Sequence, residues 1–136
     1  MLLIKAEGLL RTGKAAEAAE LVTQVRQRAF KGTPAKATVT AADLAKGSRY
    51  NYGYQATDGT ITERQGGDDI QFGRFLDELG WEFAAEAHRR QDLIRFGVYE
   101  TKKWFNHRPQ TVQRALFPIP QNEIDKNPNL KQNPGY

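Results

Sequence analysis

From Leu2 to Arg11 the apolar positions Leu2, Leu3, Ala6, Leu9 and Leu10 follow helical spacing, and Gly13 stops the pattern. Ala15, Ala18, Val22, Val25 and Ala29 then recur at alternating steps of three and four. This predicts a second helix with one narrow apolar stripe, small at its start, where a neighbouring helix can approach closely. The two helices are expected to form an antiparallel hairpin over residues 1–30.

The stripe ends at Phe30, and from Lys31 to Gly67 neither period is sustained; Gly, Thr, Ala and polar residues dominate. A stretch of this length is expected to be a long irregular loop, a feature usually functional or disordered. Within it Arg49, Tyr50, Asn51, Tyr52 and Tyr54 gather aromatic and polar groups, and the alternation of the three tyrosines would suit one face of a short strand.

Residues 68–106 return to helical spacing. Asp68 or Asp69 is placed to cap a helix in which Phe72, Phe75, Leu76, Leu79 and Phe83 face a core. Its other side would carry Glu78, Glu82 and Glu86 in one row, each four residues from the next. The pattern continues or bends through Arg89 to Phe96, Gly97 is a plausible stop, and a further short helix is expected over 98–105. Residues 107–136 hold Pro109, Pro118, Pro120, Pro128 and Pro134, so the tail should be extended, with one helical turn near Gln121 to Asp125 and with Phe117, Ile119 and Tyr136 pinning it across the helices. The whole reads as a single, mainly α region of 136 residues.

Charge changes this picture little. Twenty basic and 16 acidic residues give a net charge of +4, interleaved along the chain with no run of five or six like charges, which argues against a nucleic-acid partner. Cysteine is absent, which removes thiol nucleophiles, disulfide scaffolds and Cys-based zinc sites. His88 and His107 lack the spacing of a helical zinc site, and no Gly-rich phosphate loop occurs, so neither metal nor cofactor is expected. No stretch approaches the ~18 apolar residues of a membrane helix. Met1-Leu2-Leu3-Ile4 is followed at once by Lys5 and Glu7, so no signal peptide is read there, and an opening inside an amphipathic helix implies missing upstream sequence.

Two constellations carry candidate chemistry. The carboxylate row invites comparison with glycoside hydrolysis, but Glu86 stands four residues before Arg90 and Asp92 three before Arg95, so ion pairs account for these charges. The tyrosine loop offers flat rings for the C–H faces of sugars and amides or guanidinium groups for their hydroxyls.

The run from Phe75 to Gly97, with Glu82, Glu86, Arg89 or Arg90, Asp92, Leu93, Arg95 and Gly97 in order, resembles the SusD/RagB family. Leu116–Ile124 followed by Asn127–Tyr136 is similar to that family's C-terminal signature, and Val25-Arg26-Gln27-Arg28-Ala29 resembles the close of its helix pair. The resemblance implies a tetratricopeptide-like helical hairpin in a lipid-anchored protein of the bacterial outer membrane surface. It further implies an oligosaccharide ligand, a SusC-like TonB-dependent transporter as partner, and a larger N-terminal remainder of the parent chain. On this reading the protein is not an enzyme, and Glu82, Glu86, Arg89, Arg90, Asp92 and Arg95 form an architectural network with Arg26 and Arg28. The alternative is a tetratricopeptide-like scaffold for another protein. Sugar binding predicts Tyr50, Tyr52 or Tyr54 exposed in a cleft; a scaffold predicts that loop buried or disordered.

Overall fold

The computed structural model describes residues 1–109 and 112–136; Gln110 and Thr111 of the expected tail lie outside the described residues. Helix α1 spans Leu2–Arg11 and α2 spans Ala15–Gln27. Their connection is tight because the Lys14 N–H donates back to the Leu9 carbonyl at 2.9 Å. Leu3, Ala6 and Leu10 of α1 meet Ala18, Ala19 and Val22 of α2 in a buried cluster that also takes in Val39, Leu44, Phe75 and Leu79. Each fully buried Leu, Val or Phe here contributes about 1.5–3 kcal/mol relative to exposure. Ala29, expected on the stripe, is exposed because α2 ends before it.

The excursion after Phe30 carries short ordered pieces. A 3-10 turn covers Pro34–Ala37, and α3, Ala41–Leu44, opens on a capping box in which the Thr40 hydroxyl and the Asp43 carboxylate each bond the other's backbone N–H. Ala37, Val39 and Leu44 are buried. These are single apolar anchors without a period. Strands β1, Gly53–Gln55, and β2, Ile61–Arg64, then form a small antiparallel hairpin with Gly53 opposite Arg64 and Tyr54 opposite Glu63.

Helix α4 spans Gly73–Glu82 and buries Phe75, Leu76 and Leu79, with Phe72 and Phe83 half-buried beside them. Neither Asp68 nor Asp69 caps it, a correction to the expectation above. The helix begins after Phe72, in left-handed conformation, and the Arg74 N–H donates to the Lys46 carbonyl at 3.1 Å. Residues 46–48 cross the helix start so closely that a Cβ on Gly73 would lie 2.1 Å from the Ser48 nitrogen. Asp69 instead accepts two bonds from Lys102 Nζ, at 2.6 and 2.8 Å.

The helical pattern breaks after Glu82. Ala85 and Ala87 adopt positive φ, 66° and 61°, against the helix propensity of the Ala-Ala-Glu-Ala run, and α5 starts afresh as Arg89–Arg95. Tertiary contacts override propensity here: Arg89 reaches back to the Leu76 carbonyl, and the Phe83 and His88 rings meet at 4.8 Å. Gly97, at φ 67°, ends α5 as expected. Residues 98–105 do not form the expected helix. After one turn closed by Lys102 N–H to the Val98 carbonyl, their backbone bonds go sideways to the hairpin: the Lys103 carbonyl takes the Gly53 N–H and Phe105 bridges Gln55. A second buried cluster of Tyr52, Ile70, Leu76, Leu93 and Val98 sits beneath this join.

The tail contains a 3-10 turn at Val112–Ala115 and α6, Gln121–Lys126, where the single turn was expected. Phe117 and Tyr136 do not pin it by burial. Both are exposed and Ile119 is half-buried, because the tail closes on itself through polar contacts: Tyr136 Oη donates to the Leu116 carbonyl and Asn133 Nδ2 to the Phe117 carbonyl. Among the described residues no helix is long and apolar enough to cross a membrane.

Candidate ligand-binding site

The tyrosine loop is divided by its backbone. The strand takes in only Tyr54, so the three rings do not share one face. Tyr52 is 1% exposed, and its hydroxyl accepts from Arg89 Nη2 at 3.3 Å; burial raises its pKa above the ordinary value, with Arg89 opposing. Tyr54 lies apart, half-buried under the Arg108 guanidinium at 3.7 Å. Tyr50 is 44% exposed and meets the Tyr52 ring edge-on at 4.7 Å, so the buried ring props the exposed one. Asn51 is exposed beside it.

Helix α4 brings the other wall. Trp81, 54% exposed on its last turn, lines with Arg49, Tyr50, Asp77, Gly80 and Arg89 an open cleft of about 370 Å³. The sequence reading missed Trp81. An exposed Trp off the apolar stripe of a strong helix was the available signal. The cleft therefore unites Arg49 and Tyr50 with Arg89, leaves Tyr52 beneath it, and excludes Tyr54.

Its polar groups differ in how far they are committed. Asp77 accepts from the Ser48 hydroxyl at 2.5 Å and from the Arg49 N–H at 2.6 Å, so both its oxygens hold the loop against α4. Arg89 is spent on the Leu76 carbonyl and Tyr52. The Arg49 side chain makes no hydrogen bond or ion pair among the described residues and is exposed. Behind Trp81, Arg74 lies with its guanidinium 4.5 Å from the ring; it is buried, forms an ion pair with Glu78 through Nη2 at 3.1 Å, and leaves Nε and Nη1 without hydrogen-bond partners among the described residues. Burial lowers its pKa from the ordinary arginine value, against the pull of Glu78.

The ion pairs between helices gather on Glu78, which the expected set of Glu82, Glu86, Arg89, Arg90, Asp92 and Arg95 did not include: both its carboxylate oxygens take Arg26 Nη1, at 3.0 and 2.9 Å, and Arg74 shares one of them. Glu82 pairs with Arg28. Glu86 falls beyond the helix end, is exposed, and makes no ion pair among the described residues, so the expected Glu86–Arg90 pair is absent. Arg90 instead donates to the Arg114 and Ala115 carbonyls of the tail. Arg95 joins Asp92 at 2.7 Å to Glu7 of α1 at 2.6 Å, tying α5 to the first helix. The Glu7 link to residue 95 crosses too much sequence for local spacing to have shown it.

The chain is 33% identical to the starch-binding protein SusD of Bacteroides thetaiotaomicron over 85 residues, which is 57% of this chain and 14% of that protein. It is 40% identical to the SusD-like protein P25 of Formosa agariphila over 74 residues, 44% of this chain and again 14% of the relative. The chain thus covers only about a seventh of the length of either relative. No solved structure matches. The sequence pattern of the SusD family matches residues 1–114 and 97–136, so together the matches run the length of the chain, and the chain belongs to the SusD family.

Proposed function

We propose that this chain binds carbohydrate without turnover, as part of a nutrient-uptake system, through the cleft between Tyr50 and Trp81. The observation that carries the reading is the pair of exposed rings facing one cleft beside the uncommitted Arg49. Flat rings take the apolar face of a pyranose and a guanidinium takes its hydroxyls. Family membership supports the ligand class, because a relative is named for binding starch.

The cleft also argues for binding over hydrolysis. Asp77 is the carboxylate that lines it among the described residues, and both its oxygens are held by Ser48 and Arg49. Glycoside cleavage needs two available carboxyls about 5–10 Å apart across an open site.

In the whole family protein we place this segment at the outer membrane surface, lipid-anchored and beside a SusC-like TonB-dependent transporter. The remainder of a longer chain is the partner for the face where Leu2 and Ile4 of α1 stand exposed, near a groove lined by Leu3, Val25 and Phe30 together with Arg26 and Glu78. That covering also accounts for the helical-scaffold alternative, with the parent chain as the bound protein.

A glycan-array screen of the chain and of its Tyr50→Ala and Trp81→Ala variants tests the sugar site. Binding that falls on the order of tenfold or more in both variants, with unchanged melting temperature, supports the cleft. Binding that survives both substitutions places the site elsewhere.

A further inference from the structure

A second cavity, of about 500 Å³, opens between α5, the 99–108 segment and the tail. Arg90, Arg108 and Arg114 line it together with Tyr99, Phe117 and Tyr136, and no Asp or Glu side chain does so among the described residues. Each guanidinium is laid over a ring: Arg90 is 4.3 Å from the Phe117 centroid and 5.1 Å from that of Tyr99, and Arg114 is 4.7 Å from that of Tyr136. Arg108 lies over Tyr54 and pairs with Glu63 at 2.6 Å, a carboxylate outside the cavity that it shares with Lys103.

Charge bookkeeping sets this cavity apart from the core. In the Glu78 hub two arginines meet one buried carboxylate; here three arginines face one cavity with a single half-exposed carboxylate behind one of them. Holding like charges close together costs free energy that a bound anion offsets. Stacking on rings keeps the guanidinium planes oriented. Arg90 gives Nη2 to the Arg114 and Ala115 carbonyls and Arg108 gives Nη1 to Glu63, whereas the Arg114 side chain makes no hydrogen bond or ion pair among the described residues; the N–H groups that remain suit carboxylate and sulfate acceptors. The rings add apolar faces for the rest of the ligand.

We infer that the cavity formed by Arg90, Arg108 and Arg114 with Tyr99, Phe117 and Tyr136 is a binding site for an acidic saccharide, one bearing carboxylate or sulfate groups. It is separate from the Tyr50–Trp81 cleft. The anionic character follows from the cavity itself; the saccharide character rests on the carbohydrate reading above.

The test is titration calorimetry of the chain with oligogalacturonate, a sulfated oligosaccharide, neutral maltohexaose and sodium sulfate. It is repeated on Arg108→Gln/Arg114→Gln and on Arg28→Gln, which removes an exposed guanidinium outside the cavity. Expected is binding of one or both acidic oligosaccharides that weakens on the order of tenfold in the double variant but not in Arg28→Gln, and that falls as salt rises from about 50 to about 500 mM. The arm that binds separates the carboxylate from the sulfate source. Maltohexaose bound without either acidic sugar would overturn this inference and leave the carbohydrate reading standing. If no sugar binds, both fall. Sodium sulfate bound as tightly as the oligosaccharides would reduce the cavity to a simple anion site, and equal loss in Arg28→Gln would reduce the effect to net charge.

Discussion

The junction of residues 46–50 with α4 and the tail of residues 112–136 are both loops laid on helices, yet they are held in opposite ways. At the junction backbone touches backbone: Gly73 has no room for a Cβ against Ser48, Arg74 N–H bonds the Lys46 carbonyl, and Asp77 closes over Ser48 and Arg49. Beneath it lie fully buried Leu44, Phe75 and Leu76. The tail bonds mainly to itself, and the Arg90 side chain donates outward to it through the Arg114 and Ala115 carbonyls. Steric fit with satisfied polar groups fixes a single register; a guanidinium reaching to carbonyls tolerates adjustment. The Tyr50–Trp81 cleft therefore has a rigid floor, while the arginine-lined cavity has one wall that can yield to a ligand.

The largest expected effect breaks the rigid side. Glu78→Ala leaves buried Arg74 and half-buried Arg26 without their shared carboxylate. Removing one partner of a buried pair costs about 3–5 kcal/mol. Urea denaturation should show a loss of that order, whereas Glu86→Ala, at an exposed position, should change little. A comparable loss in Glu86→Ala would place Glu86 in the network after all.

The contrast also separates what the sequence made legible from what it did not. The α1–α2 hairpin and the buried positions of α4 could be read because their partners recur at three and four residues along the same helix. Gly97 and the turn at residues 121–126 could be read from stop and start chemistry. The Glu78 hub could not: Arg26 is brought to it across 52 residues, and the carboxylate row suggested by i, i+4 spacing ends where Ala85 and Ala87 turn left-handed. The tyrosine alternation suggested one shared face, and the backbone divides the rings instead: one is core, one lines the open cleft and one lies under Arg108. Trp81 stands exposed off the apolar stripe of α4, where periodicity carries no signal.

A smaller effect is expected on the yielding side. Arg90→Gln removes two bonds to tail carbonyls and the stacking on Phe117 while leaving both buried clusters intact. Exposed or part-exposed bonds of this kind each contribute about 0.5–1.5 kcal/mol. Limited proteolysis should cut the variant faster between residues 112 and 120 at nearly unchanged melting temperature. A cooperative loss of the whole fold would mean that the tail is as integral as the junction.

Acid should loosen the molecule by a third route, and with the smallest effect. Asp43, held by Lys46 and then Thr40, Glu63, held by Lys103 and then Arg108, and Asp69, held by Lys102, all have pKa values lowered from the ordinary 3.8, 4.5 and 3.8. A carboxyl with a depressed folded pKa contributes stability above its unfolded pKa and loses that contribution as pH falls toward the folded value. The loss should begin near pH 4.5 as the unfolded Glu63 takes its proton, and deepen as the aspartates follow below 3.8. Because Glu63 of the hairpin and Asp69 before α4 are tied to Lys103 and Lys102, acid should first loosen residues 98–103 from both, above the second buried cluster. The urea midpoint measured from about pH 6 to about pH 3 should fall in the parent and fall less steeply in Glu63→Gln/Asp69→Asn, whose linkage is already removed. Parallel curves would show that these exposed pairs are too well screened to matter, and would leave the resistance of the junction to packing alone.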